Sequence, residues 1–208
     1  ERRRFAQVSH EYLIEQVQHT GVESLESGSG NEKVTLNFNH PVKSLHWVIQ
    51  NDAYLSGNTT VANSTGGGTI DNNKNVAAGQ KLTYYVASSE NDSAGNSTER
   101  NDTFETAKLM LNGHDRAPVR DSDYFRLVQN CQHMDASPTK TIYTYSFALR
   151  ASEHQPSGTC NFSRIDNATL SMTFAGNQTD DSKHLKIYAV NYNVLRIMSG
   201  MGGLAYSN

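Results

Sequence analysis

The chain has 208 residues, of which 36% are hydrophobic, and its 18 basic and 21 acidic side chains leave a net charge of −3. Near-balanced charge argues against a general nucleic-acid surface, and no apolar run approaches the roughly 18 residues of a membrane span. Ile, Leu, Val and Phe total 41 residues, whereas Asn, Ser and Thr total 58. Disorder needs high net charge as well as few apolar residues, so this balance describes an ordinary core under a large polar, loop-rich surface.

The first residues, Glu1-Arg-Arg-Arg-Phe5, have neither a Met nor an apolar stretch behind their charges. They read as the start of a fragment or processed product, not as a signal peptide, with Arg2 to Arg4 in a solvated turn. Residues 12–17 fit helix or strand equally. From there period-two alternation dominates. Val34, Leu36 and Phe38 alternate with polar residues, and Pro41 closes that strand. Leu45, Trp47 and Ile49 form the next, followed by Leu82, Tyr84 and Val86, and then Ala107, Leu109 and Leu111. Tyr143, Tyr145, Phe147 and Leu149 alternate with Ile142, Thr144, Ser146 and Ala148. Leu170, Met172 and Phe174 repeat the pattern, as do Leu185, Ile187 and Ala189, and residues 192–198 make a last strand with Tyr192, Val194 and Met198 on one side. About nine short strands without alternating helices predict an antiparallel sandwich or barrel.

One segment departs from that period. Tyr124, Leu127, Val128 and Cys131 recur at helical spacing behind Asp121, Ser122 and Asp123, which suit N-capping. The expectation is a short helix over residues 123–132 whose stripe belongs to the core. Residues 56–80 and 88–103 are loops by composition, the first holding Gly66-Gly67-Gly68 and the second no large apolar residue. Segments this polar cannot bury themselves and should project from the sandwich.

Tests for chemistry come out empty. The eight histidines (10, 19, 40, 46, 114, 133, 154 and 184) include no i, i+4 pair, and there is no C-x-x-C, so no metal site is expected. His40 and His46 read as ordinary sheet residues flanking the Pro41 turn. No G-x-S-x-G elbow occurs. Cys131 and His133 are next-but-one neighbours, which do not face each other on a helix. Glu11/Glu15, Asp121/Asp123 and Asp180/Asp181 read as solvated charge. Gly200-Met-Gly-Gly-Leu-Ala205 matches a dinucleotide fingerprint, but that motif needs a following helix to meet the pyrophosphate; the glycines suit a tight, closely packed tail. No catalytic residue and no cofactor are expected. Two cysteines, Cys131 and Cys160, are too few for a disulfide scaffold. They are taken as free thiols, with one bridge left open.

Eight N-x-S/T sequons, at Asn58, Asn63, Asn91, Asn96, Asn101, Asn161, Asn167 and Asn177, exceed the roughly 3.6 that composition alone would generate. The first five lie in the two polar loops and are the candidate glycosylation sites.

Six blocks stand out along the chain. Three are Glu11-Tyr-Leu-Ile-Glu-Gln-Val-Gln18, Leu36-Asn-Phe-Asn-His-Pro-Val-Lys43 with Trp47, and Ala107-Lys-Leu-Met-Leu-Asn-Gly-His-Asp-Arg116. With Tyr145-Ser-Phe-Ala-Leu149, the run from Gln155 to Asp166, and the ending Asn191 to Ala205, they resemble the major capsid proteins of nucleocytoplasmic large DNA viruses, of the phycodnavirus and iridovirus branches. The resemblance implies an all-β, antiparallel, eight-stranded jelly-roll sandwich with a short helix and long polar loops. It implies that this is the second jelly roll of a double jelly-roll subunit, with residues 1–20 as the connection from the first jelly roll and first strand, and 21–208 as the domain. It further implies a homotrimer forming a pseudo-hexagonal capsomer, neighbouring capsomers tiling an icosahedral shell, and minor capsid proteins beneath. The 56–80 and 88–103 loops would face outward toward the host, with assembly in the host cytoplasm, no catalysis, no nucleic acid and no direct membrane insertion. In chlorella-virus relatives sugars are attached away from the usual sequon. Candidate interface segments are residues 200–208 and the turns around Pro41 and Arg116–Arg120. A lectin-like carbohydrate-binding jelly roll is the alternative, disfavoured because neither long loop carries the aromatics that stack on sugars. A cupin-type enzyme would need clustered His and carboxylate ligands, a motif the chain lacks.

Overall fold

A computed structural model describes residues 2–25, 30–51, 86–87, 100–101, 104–136, 138, 141–174 and 183–206. Helix α1 (Arg2–Gln7) leads into β1 (His10–Leu25), so Arg2 to Arg4 open a helix where a turn was expected. There follow β2 (Asn31–Thr35), β3 (Pro41–Asn51), β4 (Val86–Ala87), β5 (Arg100–Asn101) and β6 (Thr106–Leu111). After β7 (His114–Asp115) and β8 (Arg120–Asp121) come a π turn (Tyr124–Val128) and α2 (Gln129–His133). The chain ends through β9 (Tyr143–Ser146), β10 (Cys160–Asn161), β11 (Ala168–Thr173), β12 (Lys183–Met198) and β13 (Met201–Leu204).

Two antiparallel sheets face each other as a jelly-roll sandwich. One runs β1-β12-β3-β10, with β13 also on β12 and β9 also on β3; the other runs β2-β11-β6-β7, with β8 also on β6. With these extra strands the sheets have six and five members, more than the eight strands expected in all. β6, β11, β12 and the second half of β3 contribute alternate residues to the interior, as the two-residue side-chain period requires. Val34, Leu45, Trp47, Ile49, Leu109, Leu170, Met172, Leu185 and Ile187 are all buried there. Aromatic rings fill one end: Phe104 lies 4.5 Å from Tyr143, and Trp47 lies 5.3 Å from Phe125 and 5.9 Å from Tyr143.

Several boundaries differ from the sequence reading. Alternation persists through Leu36, Phe38 and His40 beyond the end of β2, and Pro41 opens β3 where it was expected to close a strand. Leu149, expected to continue the row of Tyr143, Tyr145 and Phe147, is 72% exposed because β9 ends at Ser146. The two strands expected over 185–189 and 192–198 are one 16-residue strand, β12. Residues 12–17 belong to an equally long β1 that pairs with β12 from His10↔Ile197 to Leu25↔Lys183. A bulge at Thr20 and Gly21 (φ +108°) switches the inward residues of β1 from even to odd numbers. Ahead of it, polar Gln16 lies on the inward side and apolar Leu13 and Val17 on the exposed side, so residues 12–17 show no readable period. Residues 82–85 and most of the two long loops lie outside the described residues, although Arg100 and Asn101, taken as loop, pair with Ala87 and Val86.

The helix departs furthest. The Gln129 N–H bonds back to the Tyr124 carbonyl, five residues away, so the segment opens with a π turn that takes one extra residue and rotates the face. Ser122, Phe125, Gln129 and Asn130 are buried, while Leu127, Val128 and Cys131 face outward, so the expected core stripe is largely on the wrong side. Asp123 makes no capping bond. In place of a cap, the buried polar face is used: Gln129 Oε1 accepts from the Ser146 amide at 2.9 Å, and Asn130 Nδ2 donates to the Arg126 carbonyl at 2.8 Å.

Met172 has no exposed surface. Met172→Ala should therefore cost about 2–4 kcal/mol in denaturant unfolding, against about 0.5 kcal/mol or less for Leu149→Ala.

Candidate assembly surface

The interior offers no reactive centre among the described residues. The space between the sheets is lined by Leu36, Leu45, Trp47, Leu109, Phe125, Tyr145, Leu170 and Ile187, which supply no metal ligand and no general base. Cys131 is exposed and Cys160 half-buried, both as free thiols. Burial pushes the Cys160 thiol up, against the opposing pull of Arg116. His133 Nδ1 bonds to the Leu149 carbonyl at 3.0 Å. Glu11 pairs with Arg196 at 2.6 Å, and Asp123 pairs with Arg126. Asp180 and Asp181 lie outside the described residues, as do Asn58, Asn63, Asn91, Asn96 and Asn177. Asn101 sits in β5 opposite Val86; Asn161 and Asn167 are exposed, and Asn161 Oδ1 accepts from the Ser163 amide.

The surface features are built by β12. Its inward residues are apolar from Leu185 to Ala189 and then turn to Asn191 and Asn193, both buried. These polar side chains close one end of the sandwich. Asn193 Nδ2 donates to Gln16 Oε1 and to the Tyr206 carbonyl, both at 2.9 Å, and Asn193 Oδ1 accepts from the Tyr206 amide at 3.2 Å. Beside it, Gln18 donates to the Asn39 carbonyl at 2.7 Å and accepts from the Asn39 amide at 3.0 Å.

Beyond this clasp β3 no longer pairs with β12, and β13 takes over the vacated edge, matching Leu195↔Leu204 through Met198↔Met201. The turn between them, Ser199 (φ 51°) and Gly200 (φ 80°), has the double left-handed geometry of tight hairpins. β1, β12 and β13 thus form a ribbon running past the core, with Tyr12, Leu195 and Leu204 in one row across it. Tyr12, Leu13, Val17, Met198, Met201 and Leu204 are all exposed along it, and Met201 is 74% exposed. Phe5 of α1 stacks on His10 at 3.8 Å and adds to the same surface. Around Gly202 and Gly203 a Cβ would meet nothing within 4 Å, so the expected close packing of the tail is not found. The Arg116–Arg120 turn is largely exposed, whereas His40 at the Pro41 turn is buried with φ 67° and so is a turn residue, not a sheet one.

The opposite face of the six-stranded sheet carries a strap. Between Val42↔Asn191 and Ser44↔Val190 one extra residue, Lys43, bulges out, which puts Lys43 and Ser44 on the same outer face. The Lys43 side chain is 4% exposed, with Nζ 2.6 Å from Glu15 Oε1 and 5.5 Å from the Tyr192 ring centre. Residues 147–158 cross above it: Lys43 Nζ reaches the Glu153 carbonyl at 3.4 Å, and His154 lies 3.4 Å from Glu15. The strap closes at Gly158 (φ +141°), where a Cβ would stand 2.9 Å from the Phe147 carbonyl oxygen. Burial and the charge of Glu15 both raise the Tyr192 phenol, keeping it neutral beside the ion pair.

The family model described as large eukaryotic DNA virus major capsid protein matches residues 1–203. The chain is 44% identical to the major capsid protein of Pyramimonas orientalis virus, covering 100% of this chain and 46% of that one. It is 41% identical to the major capsid protein of Paramecium bursaria Chlorella virus 1, covering 100% and 51%. Among solved structures, a quasi-atomic model of the PBCV-1 virus capsid matches with a TM-score of 0.70 and 39% identity over 100% of this chain and 54% of that one. The Faustovirus major capsid protein shares the fold, with a TM-score of 0.61 at 14% identity, over 88% of this chain and 33% of that one. The chain therefore belongs to the major capsid proteins of large eukaryotic DNA viruses, and it spans about half the length of the curated relatives it matches.

Removing one partner of the buried ion pair leaves the other charge enclosed. Glu15→Gln should lower unfolding free energy by about 1–3 kcal/mol, the lower end reflecting the partial exposure of Glu15. The double variant Glu15→Gln/Lys43→Met should recover most of that loss in the same measurement.

Proposed function

We propose that the chain is the second jelly roll of a double jelly-roll major capsid protein that trimerises into pseudo-hexagonal capsomers tiling an icosahedral virion shell. The family match over residues 1–203 carries this reading. Residues 1–20 hold the connection from a first jelly roll and the first strand, and 21–208 form the domain. The role is structural, with no catalytic step. Its partners are further copies of itself, neighbouring capsomers and minor capsid proteins beneath the shell. The 56–80 and 88–103 loops face outward, carry any glycans at Asn58, Asn63, Asn91, Asn96 and Asn101, and meet the host surface. Assembly takes place in the host cytoplasm.

The ribbon of β1, β12 and β13 is the subunit contact in this reading. Exposed apolar side chains on both faces of the ribbon, Tyr12 and Leu204 on one and Leu13, Val17, Met198 and Met201 on the other, are costly unless other surfaces cover them, and a closed ring of identical subunits covers them by head-to-tail contact. In native mass spectrometry and sedimentation, the full-length protein should run as a trimer. Met201→Glu/Leu204→Glu should run as a folded monomer, because both side chains are exposed in the subunit, with a melting temperature lowered only by the lost association. A trimer that survives both substitutions removes the ribbon from the contact, and a monomeric wild type removes the capsomer reading itself.

A further inference from the structure

A hydrogen-bonded row crosses the outer face of the six-stranded sheet. His46 of β3 has both ring nitrogens engaged, with Nε2 2.9 Å from Ser44 Oγ and Nδ1 3.1 Å from Thr144 Oγ1 of β9. Ser44 and Thr144 are each only 1% exposed. The row continues to Tyr188 of β12, paired opposite His46, and to His19 of β1, whose ring stacks on Tyr188 at 4.5 Å. We propose that Ser44, His46 and Thr144 form an acid-sensitive latch that holds β9, and the strap leading from it, against the sheet.

Hydrogen-bond arithmetic gives the reason. A neutral imidazole offers one donor and one acceptor, so one hydroxyl donates to the ring while the other accepts. A charged imidazole offers two donors, so the hydroxyl that donated must accept instead and turn its own proton away into an enclosed site. The neighbouring groups give the new charge no welcome. Lys43 stands beside it on β3, Tyr188 faces it from β12, and His19 lies beyond on β1. β9 supplies only hydroxyls on this face, and Gln129 of α2 is committed to the Ser146 amide. Glu15 of β1 is engaged by Lys43, with His154 of the strap on its other side.

Burial first, and then the Lys43 charge, lower the His46 imidazole from 6.5 to about 4. The unfolded or opened chain takes up the proton near its ordinary value and the closed one does not. The stabilisation is thus complete above about pH 6.5 and is lost as pH falls toward 4. The loss falls on a short pairing, because β9 holds β3 through four residue pairs, from Ser44↔Ser146 to Trp47↔Tyr143. Opening there releases the strap and draws Tyr143 and Tyr145 out of the core, a sub-global unfolding of this end of the sandwich.

Hydrogen–deuterium exchange on the full-length protein at about pH 7 and about pH 4.5 tests this. After correction for intrinsic exchange, wild-type amides over residues 143–151 should lose protection on the order of 100-fold on acidification, the effect of two pH units below the ordinary imidazole value. His46→Gln keeps an uncharged donor and acceptor at that position and should change by about threefold or less. An equal acid response in the two proteins overturns the latch. A second measurement needs no substitution: imidazole C2-proton exchange in wild type should place the His46 titration well below that of a free imidazole, at the pH where the fall in amide protection that begins near 6.5 levels off. Titration at the ordinary value, or opening that does not track it, overturns the proposal.

Discussion

The sandwich is shorter than its longest strands, and that mismatch governs the architecture. β12 and β1 stay paired for 14 residue positions, while the inward residues available to face a second sheet run out at Ala189. Past that point the strand must hold together without an opposing layer. Asn193, Gln16 and Gln18 manage the transition by turning inward polarity into bonds to backbone and to one another. Asn191 Nδ2 donates to the Tyr192 carbonyl, while its buried Oδ1 has no partner among the described residues and carries a desolvation cost. The ribbon beyond exists because β13 folds back onto the edge that β3 leaves.

Much of this was legible in the sequence where one rule acts alone. The alternation of Val34 to Phe38, Leu45 to Ile49 and Leu170 to Phe174 gave strands whose inward residues are those found buried. The blocks that resemble capsid proteins gave the jelly roll. Reading failed where an inserted residue changes the phase. Gly21 in β1, Lys43 in β3 and the π turn at Tyr124–Val128 each add one residue against a partner or a turn, and each moves the following side chains to another face. Helical spacing consequently picked Leu127, Val128 and Cys131 in place of Phe125, Gln129 and Asn130. One signal was readable but overlooked. Asn112-Gly113, the strongest short hairpin dipeptide, turns β6 into β7 with φ of 51° and 79°.

The surface features were less accessible, because no local pattern announces them. The tail of residues 200–208 was suspected, yet what marks it is the row Tyr12, Leu195, Leu204, exposed at both ends and built from three segments. The Lys43–Glu15 pair joins residues 28 apart through a bulge that only the pairing reveals. His46 was read as an ordinary sheet residue, and it does lie in a sheet. Its distinction is the pair of buried hydroxyls on either side, one of them 98 residues away.

The continuity of β12 also sets how the molecule bears load. Ladder hydrogen bonds lie across the strand direction, so a pull on the ribbon along β12 strains the bonds to β1 and β3 together, in shear. Separating the strands then demands that many bonds yield at once. A pull on β13 across the strands meets them singly and peels the hairpin from its turn at Gly200. The same domain is stiff along one axis and compliant along another, and a lattice that joins copies through the ribbon inherits that anisotropy.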